Sequence, residues 1–132
     1  KENCPDTRNS KVDDVIKELN LEDKIILKEN IKETEQFYSA MDCFLLPSLF
    51  EGFPLTAVEA QANGLPCIFS TNITKKVNLN NNNQFISLED ETNWINIFNN
   101  PKQKRIKKLS SKLEKYDIKQ LTNKISKIYE KG

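Results

Sequence analysis

The segment from Asp42 to Ser70 restricts this chain more than any other. Asp42-Cys43-Phe44-Leu45-Leu46 is a nearly continuous apolar run closed by Pro47. That is the pattern of a strand covered on both faces, as in parallel sheets. After an irregular stretch from Pro47 to Phe53, a helix is expected to start at Pro54, because proline's fixed φ and missing N–H suit a first helical turn. It should stop at Gly64, and Pro66 to Ser70 then reads as a second buried strand. Strands alternating with helices imply a parallel sheet with right-handed crossovers, whose ligands bind beyond the carboxyl ends of the strands. The loop Pro47 to Phe53 lies at that end.

The flanking sequence extends the same pattern. Val12, Val15, Ile16 and Leu19 fall at helical spacing, with Ser10 as N-cap, and predict a helix from Ser10 to Asn20. Lys24 to Leu27 reads as a short strand, Lys28 to Lys32 as a polar turn, and Thr34 to Met41 as a second helix. Asn80 to Asn83 reads as a long surface turn, followed by a strand from Gln84 to Leu88. Helices are expected from Asp90 to Asn99, from Pro101 to Tyr116 with stripe Ile106, Leu109 and Leu113, and from Asp117 to Lys131. The fold expected is α/β: a Rossmann-like parallel sheet flanked by helices, with a helical C-terminus. At 132 residues the chain is expected to form one domain.

Residue usage narrows the chemistry. Histidine is absent, which removes Ser-His-Asp and Cys-His nucleophile systems, His-ligated zinc and any imidazole base. Cys4, Cys43 and Cys67 give an odd count, and two of them sit in apolar runs, so reduced thiols are expected. No apolar run reaches the length of a spanning helix and the first ten residues are polar. A soluble, cytoplasmic protein is therefore expected. Residues 1–100 carry 9 Lys+Arg against 16 Asp+Glu, whereas residues 101–132 carry 11 against 3. The basic end reads first as a solvated helix face. The reading after it is a peripheral contact with an anionic membrane surface, and no reader motif for nucleic acid accompanies it.

Between Glu33 and Thr74 there is no lysine or arginine, and Glu51 and Glu59 lie in this gap. At about 100° per residue, Glu59 falls close to the stripe Leu55, Val58 and Ala62 expected to face the sheet. Glu51 precedes the helix by three residues. It should stand near the free N–H groups of the first turn, where the amides of Leu55 and Thr56 and the Thr56 hydroxyl offer a phosphate site. A glutamate near a helix N-terminus can also be there only for the dipole, so these residues by themselves leave both a ligand role and a structural role open. Both carboxylates are expected at the carboxyl edge of the sheet, in one cleft.

The run Asp42-Cys43-Phe44-Leu45-Leu46-Pro47-Ser48-Leu49-Phe50-Glu51-Gly52-Phe53-Pro54-Leu55-Thr56-Ala57-Val58-Glu59-Ala60 resembles the E-x7-E region of the retaining glycosyltransferases called group 1 or family 4. Ala62-Asn63-Gly64-Leu65-Pro66-Cys67-Ile68 is similar to the A-x-G-x-P-V-I strand of that family, and Leu21 to Leu27 to its upstream helix end and strand. The resemblance implies the C-terminal, donor-binding half of a GT-B fold. It implies that Glu51, the catalytic residue, hydrogen-bonds the donor sugar and that Gly52 lets the backbone approach it. The amides of Leu55 and Thr56 would hold the diphosphate, Glu59 would accept hydrogen bonds from the ribose hydroxyls, and Phe53 and Pro54 would belong with them to the donor-binding segment. The reaction implied moves a sugar from a nucleoside diphosphate, of UDP type, to a hydroxyl with retention and without a metal or other cofactor. The acceptor implied is a carbohydrate or a lipid-linked sugar, bound through an N-terminal domain, in cell-surface polysaccharide or glycolipid synthesis. This places the protein in the cytoplasm or at the inner face of the membrane.

Two features of the family pattern have no counterpart here. A strand with Arg and Lys followed by a Gly-x-Gly turn should precede the Ser10 helix, and the acceptor-binding half should precede that. The chain is accordingly expected to be a cut piece or a reduced remnant, inactive alone. Lys28-Glu29-Asn30 also replaces the glycine turn after Leu27. Two other readings stand beside the enzyme: a non-catalytic sugar-nucleotide-binding or assembly module, and a flavodoxin- or receiver-like domain. A receiver needs an Asp at the carboxyl end of its strand, where this chain has Pro47.

Overall fold

The computed structural model describes residues 7–99, 104–108 and 110–117. The chain divides into two units, Lys1–Lys32 and Glu33–Gly132. The first contains helix α1 (Thr7–Glu18). It closes on Asn20, whose φ of 53° is the left-handed geometry that asparagine tolerates better than most residues. The Asn20 and Leu21 N–H groups turn back to the carbonyls of Lys17 and Ile16, so two acceptors of the last turn are satisfied. Of the expected stripe only Ile16 is buried.

The strand expected at Lys24–Leu27 does not form. The N–H groups of Lys24 and Ile25 are both taken by the carbonyl of Leu21, at 2.9 and 3.0 Å, and Ile26 is 79% exposed. A turn has used the donors that a ladder would need. Further on, Asn30 adopts φ 51° where the family pattern has a glycine turn.

The second unit is the α/β body. Its elements run α2 (Thr34–Ala40), β1 (Phe44–Leu46), α3 (Leu55–Ala62), β2 (Cys67–Ser70), a 3-10 turn (Lys75–Val77), β3 (Gln84–Ile86), α4 (Glu91–Asn99) and α5 (Ser111–Glu114). The three strands form a parallel sheet in the order β1-β2-β3, pairing Leu45 with Ile68 and Phe69 with Phe85. This is the parallel α/β sheet flanked by helices that the alternation predicts. β2 is central and wholly buried, whereas β1 is only half-buried, not covered on both faces as its apolar run suggests. Among the described residues β1 is an edge strand with one neighbour.

Helix α3 packs on β1, β2, α2 and α5. The face it buries is Ala57, Val58, Ala60 and Gln61, while Leu55 and Ala62 are exposed, so the expected stripe is rotated. Two alanines let the helix lie close to the sheet, and Ala57 and Ala60 join Tyr38, Leu65, Cys67, Phe69, Ile73 and Val77 in the main core. Gln61 is fully buried among them. Its Nε2 donates to the carbonyls of Ala57 and Val77, and its Oε1 accepts from the N–H groups of Leu79 and Asn80 and from Asn83 Nδ2. The Asn80–Asn83 tract is therefore no surface turn. Asn80 and Asn82 are buried, and Asn80 links the Gln61 carbonyl to the Ser110 N–H.

Among the described residues of the helix expected from Pro101 to Tyr116, only α5 is helical, capped by Ser110 Oγ, and residues 104–108 are irregular. Tertiary bonds outcompete the helix here. The Ile106 N–H donates to Gly64 O, and the Arg105 guanidinium reaches the carbonyls of Tyr38, Met41 and Asn63 at 2.7 to 2.9 Å. Those carbonyls lie at the C-terminal ends of α2 and α3, where a cation is favoured. Arg105, although exposed, is thus a clamp between the ends of α2 and α3. The helix expected at Asp117–Lys131 lies outside the described residues, apart from Asp117 itself.

Gly64 ends α3 at φ 76°, with the Leu65 N–H on Ala60 O and its own N–H on Gln61 O. A Cβ there would lie 2.3 Å from Ile106 O. Gly64→Ala is expected to cost about 2 to 3 kcal/mol, combining left-handed strain with displacement of the Arg105 segment. Urea unfolding would measure it, and a loss below about 0.5 kcal/mol would contradict this role.

Candidate functional site

The parallel sheet puts the carboxyl ends of β1, β2 and β3 on one edge, and the loop Pro47–Phe53 runs from the end of β1 to α3. The loop is tied down by Ser70 at the end of β2, whose Oγ donates to the carbonyl of Ser48. Ser48 Oγ in turn donates to Glu51 Oε1 at 3.0 Å. Two serines thereby connect the central strand to the half-buried Glu51 carboxylate. Sequence reasoning singled out neither of them, since a P-S turn alone does not reveal which carboxylate its hydroxyl meets.

Gly52 is exposed and a Cβ on it would touch nothing within 4 Å. No atom of a described residue requires glycine there, so the space above it is open. Phe53 stacks on Tyr116 with ring centroids 5.7 Å apart and planes at 15°. Pro54 is buried and stands at the N-cap of α3 with φ −73° and ψ 109°, so the helix begins at Leu55, one residue later than expected. Among the described residues no side chain caps the start of this helix and no acid lies in its first turn, while Leu55 and Thr56 are exposed. Their amides are part of the dipole's positive end, and among the described residues no side-chain acceptor caps them. Leu49 and Phe50 are also exposed, at 78% and 83%.

Glu59 is exposed, on the outward side of α3 and not toward the sheet. It lines a groove of about 450 Å³ with Val58, Ala62, Ser110, Leu113, Glu114, Tyr116 and Asp117. Glu51 does not line this groove, so the two carboxylates do not share one cleft in the way expected. The two regions are joined through the Phe53–Tyr116 stack. Tyr38 Oη donates to Glu59 Oε2 at 3.0 Å. Burial, and then the neighbouring Glu59 carboxylate, push the Tyr38 hydroxyl up to about 12, so it stays protonated and remains a donor at neutral pH. Cys43 and Cys67 are free thiols. Burial raises both, Cys67 to about 12, which leaves it a small core hydrophobe.

This is a Rossmann-like α/β unit with a strand-to-helix loop at the carboxyl edge of its parallel sheet. Residues 6–126 match the family of glycosyl transferases group 1, and the chain belongs to that family. It is similar to the UDP-Gal:alpha-D-GlcNAc-diphosphoundecaprenol alpha-1,3-galactosyltransferase of Escherichia coli, 39% identical over 54% of this chain and 17% of that protein. The O-antigen biosynthesis glycosyltransferase WclY of Escherichia coli is 38% identical over 42% of this chain and 16% of its own length. The mannosylfructose-phosphate synthase of Agrobacterium fabrum is 38% identical over 40% and 12%. The matched regions thus make up less than a fifth of each relative's length. No helix among the described residues is long and apolar enough to cross a membrane.

Proposed function

We propose that this chain is the donor-binding domain of a GT-B glycosyltransferase that transfers a sugar from a nucleoside diphosphate, of UDP type, to a hydroxyl with retention. The observation that carries this reading is the uncapped start of α3 directly behind the Glu51 loop. The diphosphate sits on the Leu55 and Thr56 amides, where the dipole contributes about 0.3 to 1 kcal/mol per charge without a metal. Ribose hydroxyls donate to Glu59 in its groove, and the sugar lies over Gly52 beside Glu51. As the bond from the anomeric carbon to the phosphate oxygen breaks, positive charge grows on the sugar ring, and the Glu51 carboxylate stabilises it. The acceptor oxygen then bonds the anomeric carbon on the face the phosphate leaves, and its proton passes to the departing phosphate oxygen. A lipid-linked sugar in surface-polysaccharide assembly is the proposed acceptor, in line with the diphosphoundecaprenol in the name of one relative.

The test is an amide-resolved NMR titration with UDP and with uridine. UDP is expected to move the amides of Leu55, Thr56 and Glu59 together at millimolar concentration, and uridine to move Glu59 but not Leu55 or Thr56. Shifts confined to the β3–α4 side of the sheet would refute the placement.

A further inference from the structure

We infer that Tyr38 is a positioning residue for Glu59, holding one carboxylate oxygen so that the other is presented to the ribose of a bound nucleotide. This rests on the ribose role proposed for Glu59. Tyr38 belongs to α2, away from the loop and helix that carry the other site residues, and its ring is fixed in the main core, edge-on to Phe44 at 6.1 Å. Its hydroxyl donates a hydrogen bond to the Glu59 carboxylate, at Oε2, and Glu59 itself lines the groove.

The arrangement has a reason in conformational freedom. An exposed glutamate samples many rotamers, and a ligand that needs one of them must order it on binding. A rigid phenol at 3.0 Å selects the orientation beforehand. The geometry is held from behind as well. Arg105 bonds the backbone carbonyls of both Tyr38 and Asn63, fixing the end of α2 against the end of α3. The Tyr38 hydroxyl does not ionise near neutral pH, so it serves as a donor throughout the range in which nucleotides are bound.

The experiment compares dissociation constants for UDP, 2′-deoxy-UDP and inorganic pyrophosphate in the unsubstituted chain, Tyr38→Phe and Glu59→Gln. The unsubstituted chain is expected to prefer UDP over the deoxy nucleotide by about tenfold, one hydrogen bond to a charged acceptor. Tyr38→Phe keeps the ring and its packing, and is expected to lower that preference to about threefold or less while pyrophosphate binding is unchanged. A merely structural tyrosine would weaken all three ligands alike. If Glu59→Gln removes the preference and Tyr38→Phe keeps it whole, the positioning role is wrong and the ribose role stands. If Glu59→Gln keeps it, both are wrong.

Discussion

Gln61→Leu is expected to destabilise the second unit by about 2 to 6 kcal/mol. Leucine fills a similar volume, so the loss is one of hydrogen bonding. The N–H groups of Leu79 and Asn80 would keep their burial and lose Oε1 as acceptor, and each unpaired buried donor costs about 1 to 3 kcal/mol. The Val77 carbonyl loses its Nε2 donor as well. Asn83 suffers less, because its Nδ2 retains Asn78 Oδ1 and Asn80 O. A small domain has only about 5 to 15 kcal/mol in total, so the variant should melt some 10 to 30 °C lower. Thermal unfolding followed by circular dichroism would measure this, and a shift below about 4 °C would show that the crossover from β2 to β3 does not depend on Gln61.

That crossover also shows where sequence reading stops. β2 and the limits of α3 are legible because the signals are local: an apolar run, a proline at the entry, a glycine that accepts φ 76° without side-chain strain at the exit. The rotation of α3 is not. Val58 was placed correctly, but Leu55 and Ala62 were expected inward on hydrophobicity, whereas the helix turns its alanines and Gln61 to the sheet. A buried glutamine cannot be read from periodicity, since its presence depends on donors and acceptors 16 to 22 residues downstream. The asparagine tract looked like a solvated turn for the same reason: its partners lie on α3 and at Ser110.

The strand expected at Lys24–Leu27 and the helical turns expected at 104–108 fail to form by a common mechanism. Local propensity favoured strand and helix, and specific bonds took the backbone or side-chain groups first, Leu21 O in one case and Gly64 O with the Arg105 clamp in the other. For the candidate site, the positions Glu51 to Glu59 were found through the family pattern and not through physics alone, which left a structural glutamate open. Their supports, Ser48, Ser70 and Tyr38, come from three different elements and carry no sequence signature of their own.

The second large effect is expected at Glu51, and it bears on the claim that this chain carries the donor site of a sugar transfer. Glu51→Gln preserves size and the Ser48 contact, while removing the negative charge beside the sugar. Transition-state charge stabilisation of this kind is worth about 3 to 4 kcal/mol, and kcat/KM in the intact gene product should fall by about a hundredfold or more. UDP binding should change less than about twofold, because Glu51 is proposed to face the sugar and not the nucleotide. The measurement is UDP release from a panel of UDP-hexoses, with water or a lipid-linked sugar as acceptor, alongside UDP affinity for both proteins. A large loss of turnover with nucleotide binding intact is the result this account predicts. Turnover within about threefold of the unsubstituted protein, or UDP affinity lost in step with turnover, would contradict it.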